Sequence, residues 1–81
     1  MPTLLNIKGW RVVIFPNDHR PPHVHVIGPI EHARFELLCD LGRVRLLSNI
    51  NFTASQLRHI ENRLLINLKL LCNHWGRIHE H

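Results

Sequence analysis

The feature that most constrains this chain is a change of hydrophobic period near residue 50. From there on, Leu57, Ile60, Leu64, Leu68, Leu71 and Trp75 recur at steps of three and four. That spacing puts side chains on one face of an α-helix. Leu65 and Cys72 widen the stripe, while Arg58, Glu61, Asn62, Lys69 and Asn73 fall mainly on other faces. Thr53-Ala54-Ser55-Gln56 reads as a capping box, with Thr53 accepting from the Gln56 amide and Gln56 reaching back. Gly76 is a natural stop. The spacing predicts one helix over about 54–75, roughly six turns. Such a stripe must be buried against a second layer, so the first half of the chain has to supply a sheet.

The first half has the period for it. Thr3–Ile7 and Trp10–Phe15 are short strand candidates, with Lys8-Gly9 as the turn between them. His23–Ile27 is a third strand, ended by Gly28-Pro29. From Glu31 to Cys39, Ala33, Phe35 and Leu37 share one face and Arg34 and Glu36 the other. Asp40-Leu41-Gly42 turns the chain, and Arg43, Arg45 and Leu47 then alternate with Val44 and Leu46. The expected architecture is α+β: a small antiparallel sheet of four to five short strands within 3–48, packed against one long C-terminal helix. Eighty-one residues, without repeats or linkers, fit a single domain over 1–81. A core this thin gains from a partner subunit or a ligand. Ile66 and Leu70, outside the stripe, are either incidental surface or a contact for a partner.

No apolar run approaches the roughly 18 residues that cross a bilayer. Met1-Pro2-Thr3-Leu4-Leu5 lacks the basic and long apolar regions of a signal peptide. The expectation is a cytoplasmic chain without membrane association. Cys39 and Cys72 lie far apart with no Cys-x-x-Cys, and are expected as reduced core residues. Ten Lys/Arg against six Asp/Glu give a net charge of +4, and eight of the ten are Arg, whose planar forks suit phosphate and carboxylate. Such a surface fits nucleic acid or an acidic partner, and equally a solvated exterior.

Eight histidines are the compositional outlier. The informative ones lie in Asn17-Asp18-His19-Arg20-Pro21-Pro22-His23-Val24-His25-Val26. On a strand, His23 and His25 stand side by side while Val24 and Val26 face the core. Pro21-Pro22 stiffens the approach. Two imidazoles can hold Zn²⁺ or a similar cation if further ligands join them. Asp18, His19 and His32 are near enough in sequence, but the spacing places none of them. Alternatively, one imidazole takes a proton from a ribose 2′-hydroxyl while the other donates to the leaving oxygen, without a metal. Arg20, Arg43 or Arg45 would then stabilise the charge on phosphorus. A third reading leaves both histidines as sheet residues facing solvent. His74, His79 and His81 cluster near the C-terminus, where they compensate a helix dipole or belong to a tail. His59 falls on the helix's polar side, and Trp10 and Trp75 read as core or core-edge residues.

Met1-Pro2-Thr3-Leu4-Leu5, Gly9-Trp10-Arg11-Val12-Val13-Ile14-Phe15 and Phe52-Thr53-Ala54-Ser55, with a helix ending at His74-Trp75, resemble a family of small bacterial proteins. The match is sharpest at Asn17–Val26, where the family shows a proline-histidine-any-histidine-valine core; His19, Pro22, His23 and His25 fall on motif positions. The family has been catalogued as a domain of unknown function and is similar to the DhiT-like toxins of bacterial type II toxin–antitoxin loci. The resemblance implies a toxin-like cytoplasmic protein neutralised by a cognate antitoxin protein. After Ala33-Arg34-Phe35 the chain departs from the pattern in a Leu- and Arg-rich stretch through Leu47. The leading expectation is a toxin-like component acting on RNA, a metal-independent endoribonuclease. His23, His25 and His19 would be catalytic, Arg20, Arg43 and Arg45 would bind substrate, and no cofactor would be needed. The alternatives are zinc at His23 and His25, or a protein-interaction domain without catalysis. A homodimer and an antitoxin-capped monomer would cover the same apolar surface.

Overall fold

The computed structural model describes residues 3–79. Its first hairpin follows from two backbone conformations. Lys8 and Gly9 both have positive φ, 52° and 86°, which is the twist a two-residue hairpin turn needs. The Asn6 side chain accepts the Gly9 N–H at 2.8 Å and closes the turn. The turn joins β1 (Leu5–Ile7) to β2 (Trp10–Val13). Next come β3 (His23–Ile27), β4 (His32–Leu38) and β5 (Arg43–Ile50), each antiparallel to its neighbour, in the order β1-β2-β3-β4-β5.

The register sorts side chains by face, because cross-strand partners point the same way. Val12 pairs with Val26, Val26 with Ala33, Val24 with Phe35, and Leu37 with Val44. These residues are buried in one cluster with Ile60, Leu64, Leu68, Leu71 and Trp75 of the helices. The other face carries Val13 opposite His25, His25 opposite Arg34, and His23 opposite both Glu36 and, one strand further, Arg45. The register shifts at Arg34/Phe35: Arg34 opposes Ser48 and Phe35 opposes Leu46, leaving Leu47 as the extra residue of a bulge.

The helical part is two helices, not one. α1 (Ala54–Ile66) opens with both bonds of the capping box: the Gln56 N–H to Thr53 Oγ1 at 3.1 Å, and the Thr53 N–H to Gln56 Oε1 at 2.9 Å. Asn67 interrupts the run with φ −105° and ψ 14°. Its side-chain amide donates to the Arg63 carbonyl at 2.8 Å, competing with regular helix bonding. α2 (Leu68–His79) then resumes with the Leu71 N–H on the Asn67 carbonyl. The apolar stripe hides the break, since Leu64, Leu68 and Leu71 are buried on both sides of it. Gly76 lies within α2 and does not stop it. Ile78 packs against the core beyond the glycine, which favours another turn of helix.

The cysteines correct a second expectation. Cys39, just past β4, and Cys72, on α2, form a disulfide with Cα atoms 6.3 Å apart. They are not reduced core residues: the sheet–helix packing brings together positions 33 apart in sequence, and Cys39 is exposed. Ile66 and Leu70 are exposed, Ile66 by 72%, and Leu65 also sits at the surface instead of widening the buried stripe. Among the described residues no helix is long and apolar enough to cross a membrane. Met1, Pro2, Glu80 and His81 lie outside the described residues.

Candidate functional site

The segment between β2 and β3 folds back over the polar face of the sheet. Asp18 closes this turn twice. Its N–H donates to the Phe15 carbonyl at 3.0 Å, and its Oδ2 accepts the Phe15 N–H at 3.1 Å. The carboxylate thereby lies against β3, with Oδ2 3.1 Å from His25 Nε2 and 3.5 Å from His23 Nε2. Both histidines are only 8% exposed, so they are not the solvent-facing pair of the third reading. Phe15 meets the His25 ring edge-on at 4.6 Å, and Trp75 lies 5.5 Å from the His23 ring.

The outer ring nitrogens are also engaged. His23 Nδ1 lies 2.9 Å from the Pro21 carbonyl. A carbonyl only accepts, so this nitrogen carries the hydrogen, and in the neutral ring Nε2 keeps its lone pair. His25 Nδ1 lies 3.0 Å from His32 Nε2. Asp18, His25 and His32 thus form a continuous chain of polar contacts across the face. The His25 pKa is lowered. Burial is the largest cause, opposed by the charge and hydrogen bond of Asp18, with His23 and His32 adding to the lowering.

The sequence-predicted residues divide into two groups. His19 and Arg20 are exposed and line a cavity of about 330 Å³ with Asn17, Asp18, Pro21, His23, Arg34 and Leu47. Arg43 and Arg45 do not line it. Arg45 forms an ion pair with Glu36, and Arg43 is exposed at the start of β5. Arg34 takes the position that sequence reasoning gave to those two, with its Nε donating to Ser48 Oγ at 3.0 Å. The signal for it was the two-residue alternation of β4, which puts Arg34 on the face opposite the core and beside His25. A larger cavity, about 540 Å³, lies beside the disulfide and is lined by Arg20, Pro22, Leu37 and Trp75 among others; nothing in the sequence pattern marks it. Near it, Trp75 and His79 stack at 3.8 Å, each with a buried ring nitrogen that lacks a hydrogen-bond partner.

Asp18, His23 and His25 each offer one ligand atom, all within 4.8 Å of one another. Inward-turned nitrogens against a carboxylate suit two kinds of chemistry: holding a cation, or relaying a proton along Asp18, His25 and His32. In both, the cavity beside Asp18 and His23 is the place where a reacting molecule would sit.

A family model described as a domain of unknown function, DUF4160, matches residues 9–76. Comparison with curated proteins and with solved structures gave no match.

Proposed function

The chain belongs to the DUF4160 family, a domain of unknown function, and from its own site we propose that it is a toxin-like protein that acts on the phosphodiester backbone of RNA. One observation carries this reading. The cavity that exposes Asp18 and His23 is also lined by Arg20 and Arg34. Guanidinium groups bind phosphate oxygens through paired hydrogen bonds, and the His19 and His23 imidazoles line the same cavity. The net charge of +4 favours a polyanion over a neutral substrate. The toxin part rests on the resemblance of the chain, sharpest at Asn17–Val26, to a family that is similar to the DhiT-like toxins. In this reading the protein works in the cytoplasm, and a cognate antitoxin protein covers exposed apolar surface such as Ile66 and Leu70.

The test is induced expression of the wild type against the His23→Ala/His25→Ala double variant, following growth and total RNA integrity together. The expected result is arrest and RNA degradation with the wild type and neither with an equally abundant variant. Normal growth and intact RNA with well-expressed wild type and no antitoxin present would overturn the reading.

A further inference from the structure

We infer that Asp18 Oδ2, His23 Nε2 and His25 Nε2 form a three-ligand site for a zinc-class divalent cation, open on the side of the cavity that holds Arg20 and Arg34. The placement of the open side rests on the functional reading of that cavity; the cation site itself does not.

Four observations carry it. The first is spacing. Two ligands each about 2.0–2.1 Å from a zinc ion, at angles between octahedral and tetrahedral, stand about 2.8–3.4 Å apart. Asp18 Oδ2 lies 3.1 Å from His25 Nε2 and 3.5 Å from His23 Nε2. The second is orientation. Metal-bound imidazoles commonly have the outer nitrogen fixed by a hydrogen-bond partner, which aims the inner one. Here the Pro21 carbonyl fixes His23 Nδ1 and His32 Nε2 fixes His25 Nδ1. The third is electrostatic. With its hydrogen held on Nδ1, a neutral His23 turns a lone pair toward a carboxylate oxygen at 3.5 Å. Two electron-rich atoms in a largely buried setting repel, and a cation between them turns the repulsion into attraction.

The fourth is the identity of the donors. Two imidazoles and one carboxylate select zinc and its transition-metal neighbours over calcium or magnesium, which prefer all-oxygen sites. Three protein ligands leave at least one position free, the arrangement of catalytic rather than structural zinc. Asp18 and His23 also line the cavity with Arg20 and Arg34, so a phosphate oxygen entering it would reach the open position with guanidinium groups around it. Arg45, on the same face, forms an ion pair with Glu36.

The test is calorimetric titration of ZnCl₂ into the full-length, tag-free chain after chelator dialysis. The expected result is one Zn²⁺ per chain. Asp18→Asn and His32→Ala should each weaken binding at least tenfold, and His23→Ala/His25→Ala should abolish it. The pair His79→Ala/His81→Ala serves as control for adventitious binding by the C-terminal histidines and should bind as the wild type does. Thermal melts of each variant show whether it folds. Where the double variant does not fold, Co²⁺ loading of the wild type decides: visible d–d bands of a four- or five-coordinate ion are expected. Absence of stoichiometric Zn²⁺, equal binding by a folded His23→Ala/His25→Ala variant, or Co²⁺ bands of a six-coordinate aquo ion would overturn the inference. One Zn²⁺ per chain in a protein without effect on growth or RNA would uphold this site and overturn the proposed function. RNA degradation by a protein that takes up no stoichiometric Zn²⁺ would do the reverse.

Discussion

His25 is held from several sides at once. Its two nitrogens are committed to Asp18 and His32, its ring is covered by Phe15, and it is 8% exposed. Burial lowers its pKa below the usual value of 6.5. In the cation-free chain, the unfolded ring therefore takes up a proton at a pH where the folded ring does not. The unfolded state binds more protons, so stability is fully present above about pH 6.5 and declines as pH falls toward the folded pKa. Urea midpoints measured from pH 7.5 to 5 in chelator should show this decline, and His25→Gln should flatten it. Of this residue's setting, the i, i+2 spacing revealed the pairing with His23 and the separation from Val24 and Val26. It could not reveal the burial, because that comes from the 15–22 segment folding back, an event set by Asp18, whose N–H donates to the Phe15 carbonyl and whose carboxylate accepts the Phe15 N–H. Asp18 and His32 were visible only as neighbours in sequence. Arg34 was legible as a polar-face residue but not as a cavity wall, since the cavity exists only once that segment lies over β4's neighbour.

Elements reflect how local each signal is. The hairpin at Lys8-Gly9, the alternation of β4 and the capping box are decided by residues within four positions of one another, and each was readable. The extra residue in β5 was not, because a bulge is a property of two strands. Nor was the break at Asn67. The buried face runs through it unbroken, and only a side-chain amide reaching the Arg63 carbonyl betrays it. The helix start offers a clean measurement. Thr53→Ala removes the acceptor of the Gln56 N–H and should destabilise the fold by about 1 kcal/mol, read as a lowered denaturation midpoint at constant slope. Gly76 shows the opposite error: a good local stop signal is overridden where Ile78 still has core to reach.

At the scale of the molecule, sheet and helices meet through one thin apolar layer and one covalent tie. The Cys39–Cys72 disulfide closes a loop of 33 residues between the end of β4 and α2. Such a cross-link stabilises chiefly by restricting the unfolded chain, by about 2–4 kcal/mol. Denaturation midpoints with and without reductant should differ accordingly, and Cys39→Ser/Cys72→Ser should show no such difference. The same tie anchors the helix that sets Trp75 beside His23, so loss of the cross-link is felt at the polar face as well as in the core.

The converging atoms on that face come from a stretch of chain only eight residues long, Asp18 to His25. A loop that short closes at little entropic expense, and its framework is one turn leading into one strand. The candidate site of this protein is therefore a cassette. His32 on β4 and Trp75 on α2 brace it from outside. The rest of the chain acts as its chassis.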